Sequence, residues 1–313
     1  MCIRDSFSGS PVASVDRQEP SEQHSPMKNE FPNHSRWKLR TQTLAITQTP
    51  LIMGILNVTP DSFSDGGSYL TAQDAIDHGL RLAAEGADLI EIGGESTSPY
   101  SQPVSAQQEI ERVVQVVRGI ADQSDVPVSI DTSKSAVAIA AIEAGAQIIN
   151  DVTGLTGDSD MLQVAAESGV GVCAMHMQGT PATMQDNPRN TNVVAEVLAY
   201  LQQRKACLLD AGIPLEKICL DPGIGFGKTH QHNLELLAGC EAFLELGCPI
   251  LIGHSRKGFI GKLLNDKDAD RDSGTLAISL LMAQKKMHVL RLHQIAPTVA
   301  ALKVLAGITS QDN

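Results

Sequence analysis

A chain of 313 residues that is 42% hydrophobic can bury a sizeable core, in one large α/β domain or two smaller ones. A formal charge of −12, from 24 basic and 36 acidic residues with no block of Lys or Arg, argues against nucleic acid or an anionic membrane as partner. No run approaches the roughly 18 apolar residues of a membrane span, and the six cysteines (Cys2, Cys173, Cys207, Cys219, Cys240, Cys248) show neither a C-x-x-C pair nor metal-ligand spacing, which fits reduced thiols in a cytoplasmic protein.

Residues 1–35 are rich in Ser, Pro, Asn, Gln, Glu and Asp without periodicity and read as a disordered extension; they hold no apolar signal region and too many acids for a transit peptide. The first six residues, MCIRDS, resemble the translation of a sequencing-library transposon end, so part of the extension is expected to be a sequencing artefact with the true start near Met27. The remainder, 36–313, reads as a single domain. Trp37 to Thr47 alternates loosely, as a short hairpin would. From Leu51 onward, apolar runs of strand length alternate with segments of helical spacing. The predicted strands are Leu51 to Leu56, Leu89 to Gly93, Val126 to Asp131, Gln147 to Asn150, Gly171 to His176, Lys217 to Asp221, Pro249 to Gly253 and Val289 to His293. Ala72 to Glu85 and Gln107 to Ala121 carry apolar residues at three- and four-residue spacing, and Gly86, Gly145 and Gly212 read as C-caps leading into the next strand. Eight strands alternating with helices is the count of a (β/α)8 TIM barrel; a doubly wound open sheet is the rival.

Nearly every predicted strand runs from an apolar body into an ionisable or amide side chain: Asn57, Glu95-Ser96-Thr97, Asp131, Asn150-Asp151, His176, Asp221, His254 to Lys257, and Arg291 with His293. In a barrel all these ends share one mouth, where the chemistry of the fold resides. Asp131, Asn150 and Asp221 supply acceptors suited to a flat heterocycle rich in N–H donors. Lys257, Arg291 and His293 fall after the last two strands, where barrels often hold phosphate, and the period of two puts Arg291 and His293 on one face. The stretch from Asp221 to Thr229 misses a P-loop by one position, because Pro222 stands where glycine is required. Its glycines read as a mobile loop over the mouth with Phe226 at the tip.

With these residues in place the chain closely resembles the dihydropteroate synthases. The matching segments are GILNVTPDSFSDGG at 54–67, GGEST at 93–97, SIDT at 129–132, IIND at 148–151, MHMQGTP at 175–181, DPGIGFGK at 221–228, SRKGFIG at 255–261 and Arg291-Leu292-His293. The resemblance implies a barrel enzyme, a transferase of folate biosynthesis that joins a pterin diphosphate to 4-aminobenzoate. It assigns Asp131, Asn150, Asp221 and Lys257 to the pterin, and Asn57, Thr97, Arg291 and His293 to the diphosphate, with Asn57 also a ligand of Mg2+. Phe63, Pro99, Phe226 and Ser255 are assigned to the aminobenzoate site, where sulfonamides act. Asp131, Lys257, Arg291 and His293 are the implied catalytic set, and the implied assembly is a homodimer. A pterin-binding relative that does not condense, or a methyltransferase-type pterin module, is the alternative. The chain departs from the family pattern at Ser98, where Arg is usual, at Glu91, where Asp is common, and at Gln294, where Asp usually follows the histidine.

Overall fold

The computed structural model describes residues 36–59, 71–98 and 100–310. Among these, eight parallel strands form the predicted barrel: β3 (Leu51–Asn57), β4 (Leu89–Gly93), β5 (Val128–Asp131), β6 (Ile148–Asp151), β7 (Gly171–Met175), β8 (Ile218–Asp221), β9 (Leu251–Ile252) and β10 (Val289–Leu292). Their order is β8-β7-β6-β5-β4-β3-β10-β9. A single parallel bridge, Leu220 to Ile250, joins the two ends of that order, supported by Leu220 N donating to Pro249 O at 2.9 Å. Proline explains why two strands are shorter than predicted. Neither Pro127 nor Pro249 has an N–H to give to a ladder, so each contributes only its carbonyl before β5 and β9 begin, Pro127 accepting from Ile90 N at 3.0 Å.

Helices α1 (Ala72–Ala84), α2 (Ala106–Ala121), α3 (Ser135–Glu143), α4 (Met161–Ser168), α5 (Val193–Asp210), α6 (His230–Ala238), α7 (Gly258–Leu263), α8 (Asp272–Gln284) and α9 (Ala296–Thr309) surround the sheet. Thr71 and Ser105 close capping boxes with Asp74 and Gln108, which satisfy orphan amides at the starts of α1 and α2. Gly86, Gly145 and Gly212 take positive φ at the helix ends, as their positions in the sequence predict. His230 and His232 open α6, where His232 Nδ1 accepts from Thr229 N at 3.3 Å. No helix among the described residues is long and apolar enough to cross a membrane.

The pleat divides each strand between two cores. One set, including Ile52, Ile90, Ile92, Ile130, Ile149, Val172, Leu220, Ile252 and Leu290, packs outward against the helices. The alternate set, Leu51, Met53, Leu89, Ile148, Cys173, Cys219, Leu251 and Val289, fills the lower barrel interior. A hairpin of β1 (Arg36–Lys38) and β2 (Thr43–Ala45) lies against this lower layer: Trp37 and Leu39 are buried in it, and Trp37 Nε1 donates to Lys217 O at 3.1 Å. Two residues further along the same strands, the interior positions become Glu91, Asp131, Asn150, Asp221 and Arg291. The interior is therefore apolar near the hairpin and ionisable toward the mouth, and that gradient positions the site.

Candidate active site

Glu91, Asp131, Asn150 and Arg291 form one connected cluster within the ionisable layer. Arg291 on β10 forms an ion pair through Nε with Glu91, and its Nη2 donates to Asp131 Oδ2 at 3.2 Å. Glu91 in turn accepts from Asn150 Nδ2 at 2.5 Å. Asp131, Asn150 and Asp221 are all buried at strand ends. Burial, and then the neighbouring Glu91 charge, push the Asp131 carboxyl well above the usual range, against the pull of Arg291. Asp221 is also raised by burial; Lys257 and the amide of Gly223, which donates to Asp221 Oδ1 at 2.7 Å, oppose the shift.

Small residues leave room between these groups. Asn57, Gly93 and Asp131 lie side by side across β3, β4 and β5. A Cβ at Gly93 would stand 3.5 Å from Asn57 Oδ1, and one at Gly253 would stand 3.7 Å from Arg291 Cδ and 3.8 Å from Asp221 Oδ2. Gly93 thus keeps open the space between Asn57 and Asp131, and Gly253 the space between Asp221 and Arg291.

Lys257 enters just before α7. Its Nζ donates to Ile224 O and lies 4.4 Å from the centroid of the Phe226 ring. Burial drags its pKa down to about 7, with Asp221 resisting and Arg291 assisting the fall. Ser255 Oγ meets His293 at two atoms, accepting from its backbone N at 3.2 Å and lying 2.9 Å from Nδ1. Burial and then the Arg291 charge hold His293 near 4, so its ring is neutral at pH 7. Thr97 lines a neighbouring cavity of about 290 Å³ with Glu95, Asp131, Lys134, Thr153 and Thr180. Lys134 braces that wall through ion pairs to Glu95 at 2.7 Å and Glu109 at 2.6 Å. Phe63 and Pro99 lie outside the described residues.

The loop after β8, expected to be a mobile loop over the mouth, turns on three glycines. Gly223, Gly225 and Gly227 have positive φ, and a Cβ at Gly223 would fall 1.9 Å from His176 O. The turns are pinned from several sides: Gly225 N donates to Asn233 Oδ1 at 2.6 Å, and Gln185 Nε2 donates to Gly225 O at 2.7 Å. Lys228, 2% exposed, donates to Phe226 O at 2.9 Å and to His176 Nδ1 at 2.9 Å. Asp151, adjacent to the site in sequence, points to other work. Its carboxylate accepts from Thr153 N at 2.7 Å and Leu155 N at 3.2 Å and shapes the loop after β6.

A model of the family described as pterin binding enzyme matches residues 53–293. The dihydropteroate synthase of Escherichia coli K12 is 45% identical over 265 residues, covering 84% of this chain and 94% of that protein. The chain belongs to the dihydropteroate synthase family. A crystal structure of the Yersinia pestis dihydropteroate synthase in a sulfonamide drug complex superposes with a TM-score of 0.83 at 41% identity, covering 88% of this chain and 99% of that one. The Xanthomonas albilineans dihydropteroate synthase with 4-aminobenzoic acid gives 0.82 at 42% identity, with 88% and 98% covered. The same enzyme in complex with 7,8-dihydropteroate gives 0.78 at 41% identity, with the same coverage.

Two buried side chains of this family member were not singled out from strand ends. Glu91 sits one pleat below the mouth, and its signal was an acid inside the otherwise apolar run Leu89 to Gly93. Lys228 lies in the near-miss P-loop, and its Nζ holds the loop to His176.

Proposed function

We propose that the chain condenses 7,8-dihydropterin-6-ylmethyl diphosphate with 4-aminobenzoate, releasing pyrophosphate and 7,8-dihydropteroate. The observation that carries this reading is the connected buried cluster in which Arg291 meets Glu91 and Asp131 while Lys257 lies beside Asp221. The acceptors Asp131, Asp221 and Asn150 Oδ1 suit the donor edge of a pterin, and Lys257 can donate to its acceptor edge. Arg291 and His293, with Thr97 at the rim, hold the diphosphate.

The C–O bond between the pterin methylene and the diphosphate breaks, and the electron pair leaves on oxygen. Arg291 stabilises the charge that gathers there. Asp131 stabilises the electron-poor methylene in its ionised form, which Arg291 favours against burial and Glu91. The aminobenzoate nitrogen then forms the new C–N bond and loses a proton to water. Phe226, Phe63, Pro99 and Ser255 shape the aminobenzoate site, with the Phe226 ring and the Lys257 ammonium forming one wall.

Among the described residues no cluster of three or more His, Cys, Asp or Glu could hold a metal ion. Asn57, with its Oδ1 beside Gly93, still offers one neutral oxygen at the end of β3. One protein oxygen completed by substrate phosphates and water is a mode in which Mg2+ binds, so the residues present fit this ion. Asn57 would hold the ion, which would supply positive charge beside the leaving diphosphate. The active unit is a homodimer joined through outer-ring helices, working in the cytoplasm.

The test is pyrophosphate release from the pterin diphosphate with Mg2+, with and without 4-aminobenzoate. Release that requires aminobenzoate and is blocked by a sulfonamide is expected. Pterin binding without turnover would overturn the reading in favour of a non-condensing relative.

A further inference from the structure

One side chain joins the heterocycle-facing acceptors to the anion-facing cations. Glu91 leaves β4, the middle of the run β6-β5-β4-β3-β10, and its two carboxylate oxygens go opposite ways. Oε1 accepts from Asn150 Nδ2 at 2.5 Å, two strands to one side, while Oε2 pairs with Arg291 Nε, two strands to the other. The residue is 1% exposed. A buried carboxylate costs several kcal/mol unless its lone pairs are matched, and the interior positions one pleat below are filled by hydrophobic residues such as Leu89, Ile148 and Val289 without that cost. Stability alone therefore does not account for an acid here.

The two contacts settle the geometry of both partners. By taking Nδ2–H, Glu91 fixes which way the Asn150 amide faces, leaving Oδ1 as the acceptor for a ligand. By taking Nε–H, it fixes the plane of the Arg291 guanidinium. Asp131 holds Nη2, so the remaining donors have a set direction. Reach matters as well, because the carboxylate must touch partners on strands that lie two away on each side. The chain carries Glu at this position where its family resemblance leads one to expect the shorter Asp.

We propose that Glu91 is a positioning residue that couples the two halves of the site: it orients the Asn150 amide toward the heterocycle and the Arg291 guanidinium toward the anion at once. This rests on the reading of the pocket as one for a pterin diphosphate.

The experiment compares wild type with Glu91→Gln and Glu91→Asp. Calorimetric Kd values are measured separately for 6-hydroxymethyl-7,8-dihydropterin and for inorganic pyrophosphate with Mg2+, alongside the KM for 4-aminobenzoate and the melting temperature. Glutamine keeps the length, but a single amide cannot accept from both neighbours, so both Kd values are expected to rise by about tenfold or more, as for lost hydrogen bonds to a charged group. The aminobenzoate KM is expected to stay within about threefold, because Glu91 touches neither Phe226 nor Ser255. Aspartate keeps the charge and shortens the reach; binding weaker than wild type for at least one of the two ligands is expected.

A loss confined to one ligand in Glu91→Gln would overturn the coupling. So would an equal loss for all three ligands with a lowered melting temperature, which would mark a merely structural residue. Wild-type affinity of Glu91→Asp for both ligands would overturn the requirement for reach. If wild type binds both ligands but releases no pyrophosphate with aminobenzoate, the functional reading fails while the two Kd values still decide the role of Glu91.

Discussion

The Nζ of Lys257 lies 4.4 Å from the centroid of the Phe226 ring, so a residue of the loop after β8 and one before α7 form a single wall. Burial already weakens the ammonium's hold on its proton. A cation over an aromatic face is stabilised by roughly 0.5–2 kcal/mol, more as it is desolvated. Phe226→Ala is expected to raise the KM for 4-aminobenzoate about tenfold and the KM for the pterin diphosphate less than about threefold. Steady-state kinetics with each substrate varied in turn checks the split; equal rises would mean that the ring acts only by holding Lys257.

Arg291 hydrogen-bonds both Glu91 and Asp131. Its removal leaves two buried carboxylates without their cation and the departing diphosphate without a positioned donor. Arg291→Ala is expected to lower kcat/KM by about 10²-fold or more, as for loss of a charge-stabilising donor. Arg291→Lys should recover only part of this, because a point charge cannot serve two carboxylates in the geometry of a fork. A change under about threefold in the alanine variant would remove Arg291 from the chemistry.

Ser98 is exposed in the loop after β4, and two residues later Tyr100 donates through its hydroxyl to Asp186 Oδ1 at 3.1 Å. The loop after β4 is thus fastened to the loop after β7 by a neutral donor, at a point where related sequences are expected to carry a guanidinium nearby. Ser98→Arg is expected to change the inhibition constant of a sulfonamide, measured against 4-aminobenzoate. Equal constants for the two proteins would show that residue 98 lies outside that competition.

How the site could be read from the sequence follows from where each residue sits on its strand. Asp131 and Asp221 end their strands, Asn150 and Arg291 stand one residue before a strand end and His293 follows one, so the change from apolar to polar marks them. Glu91 lies a pleat deeper and needed the interior period of β4, which is hidden because both faces of that strand are buried. Ser129 was equally silent, since a small interior residue looks like any other position of a buried strand. The short β9 was overextended because a proline can follow the path of a strand without sharing its ladder. Lys228 could not be recognised as an anchor, because its partner His176 comes from a different loop 52 residues away.

Trp37 tests whether the hairpin only supports the barrel. It is fully buried against the lower interior layer, at the end opposite the site. Trp37→Ala is expected to destabilise the fold by about 3–5 kcal/mol, the range for truncating a large buried aromatic. Both KM values should stay within about twofold at temperatures where the variant is folded. Denaturant unfolding and kinetics on the same preparation check this, and an intact transition midpoint would remove the hairpin from the core.

His254 makes stability sensitive to acid. It is fully buried, with Nε2 3.1 Å from Thr275 O and 3.0 Å from Ser279 Oγ, and burial holds its pKa near 4 against an ordinary value of 6.5. Between those values the unfolded chain binds a proton that the folded chain refuses, so stability falls as pH drops from 6.5 toward 4 and is flat for this group above 6.5. One pKa unit corresponds to about 1.4 kcal/mol, which makes the loss from His254 about 2 kcal/mol at pH 5. The raised carboxyls of Asp131 and Asp151 act in the opposite sense, since the folded chain keeps their protons longer. A comparison at two pH values isolates the histidine. His254→Gln is expected to be less stable than wild type at pH 7.5, and the gap should narrow by about 2 kcal/mol at pH 5. A gap of constant size would mean that the His254 ring is protonated in the native state, with its charge satisfied by Thr275 and Ser279.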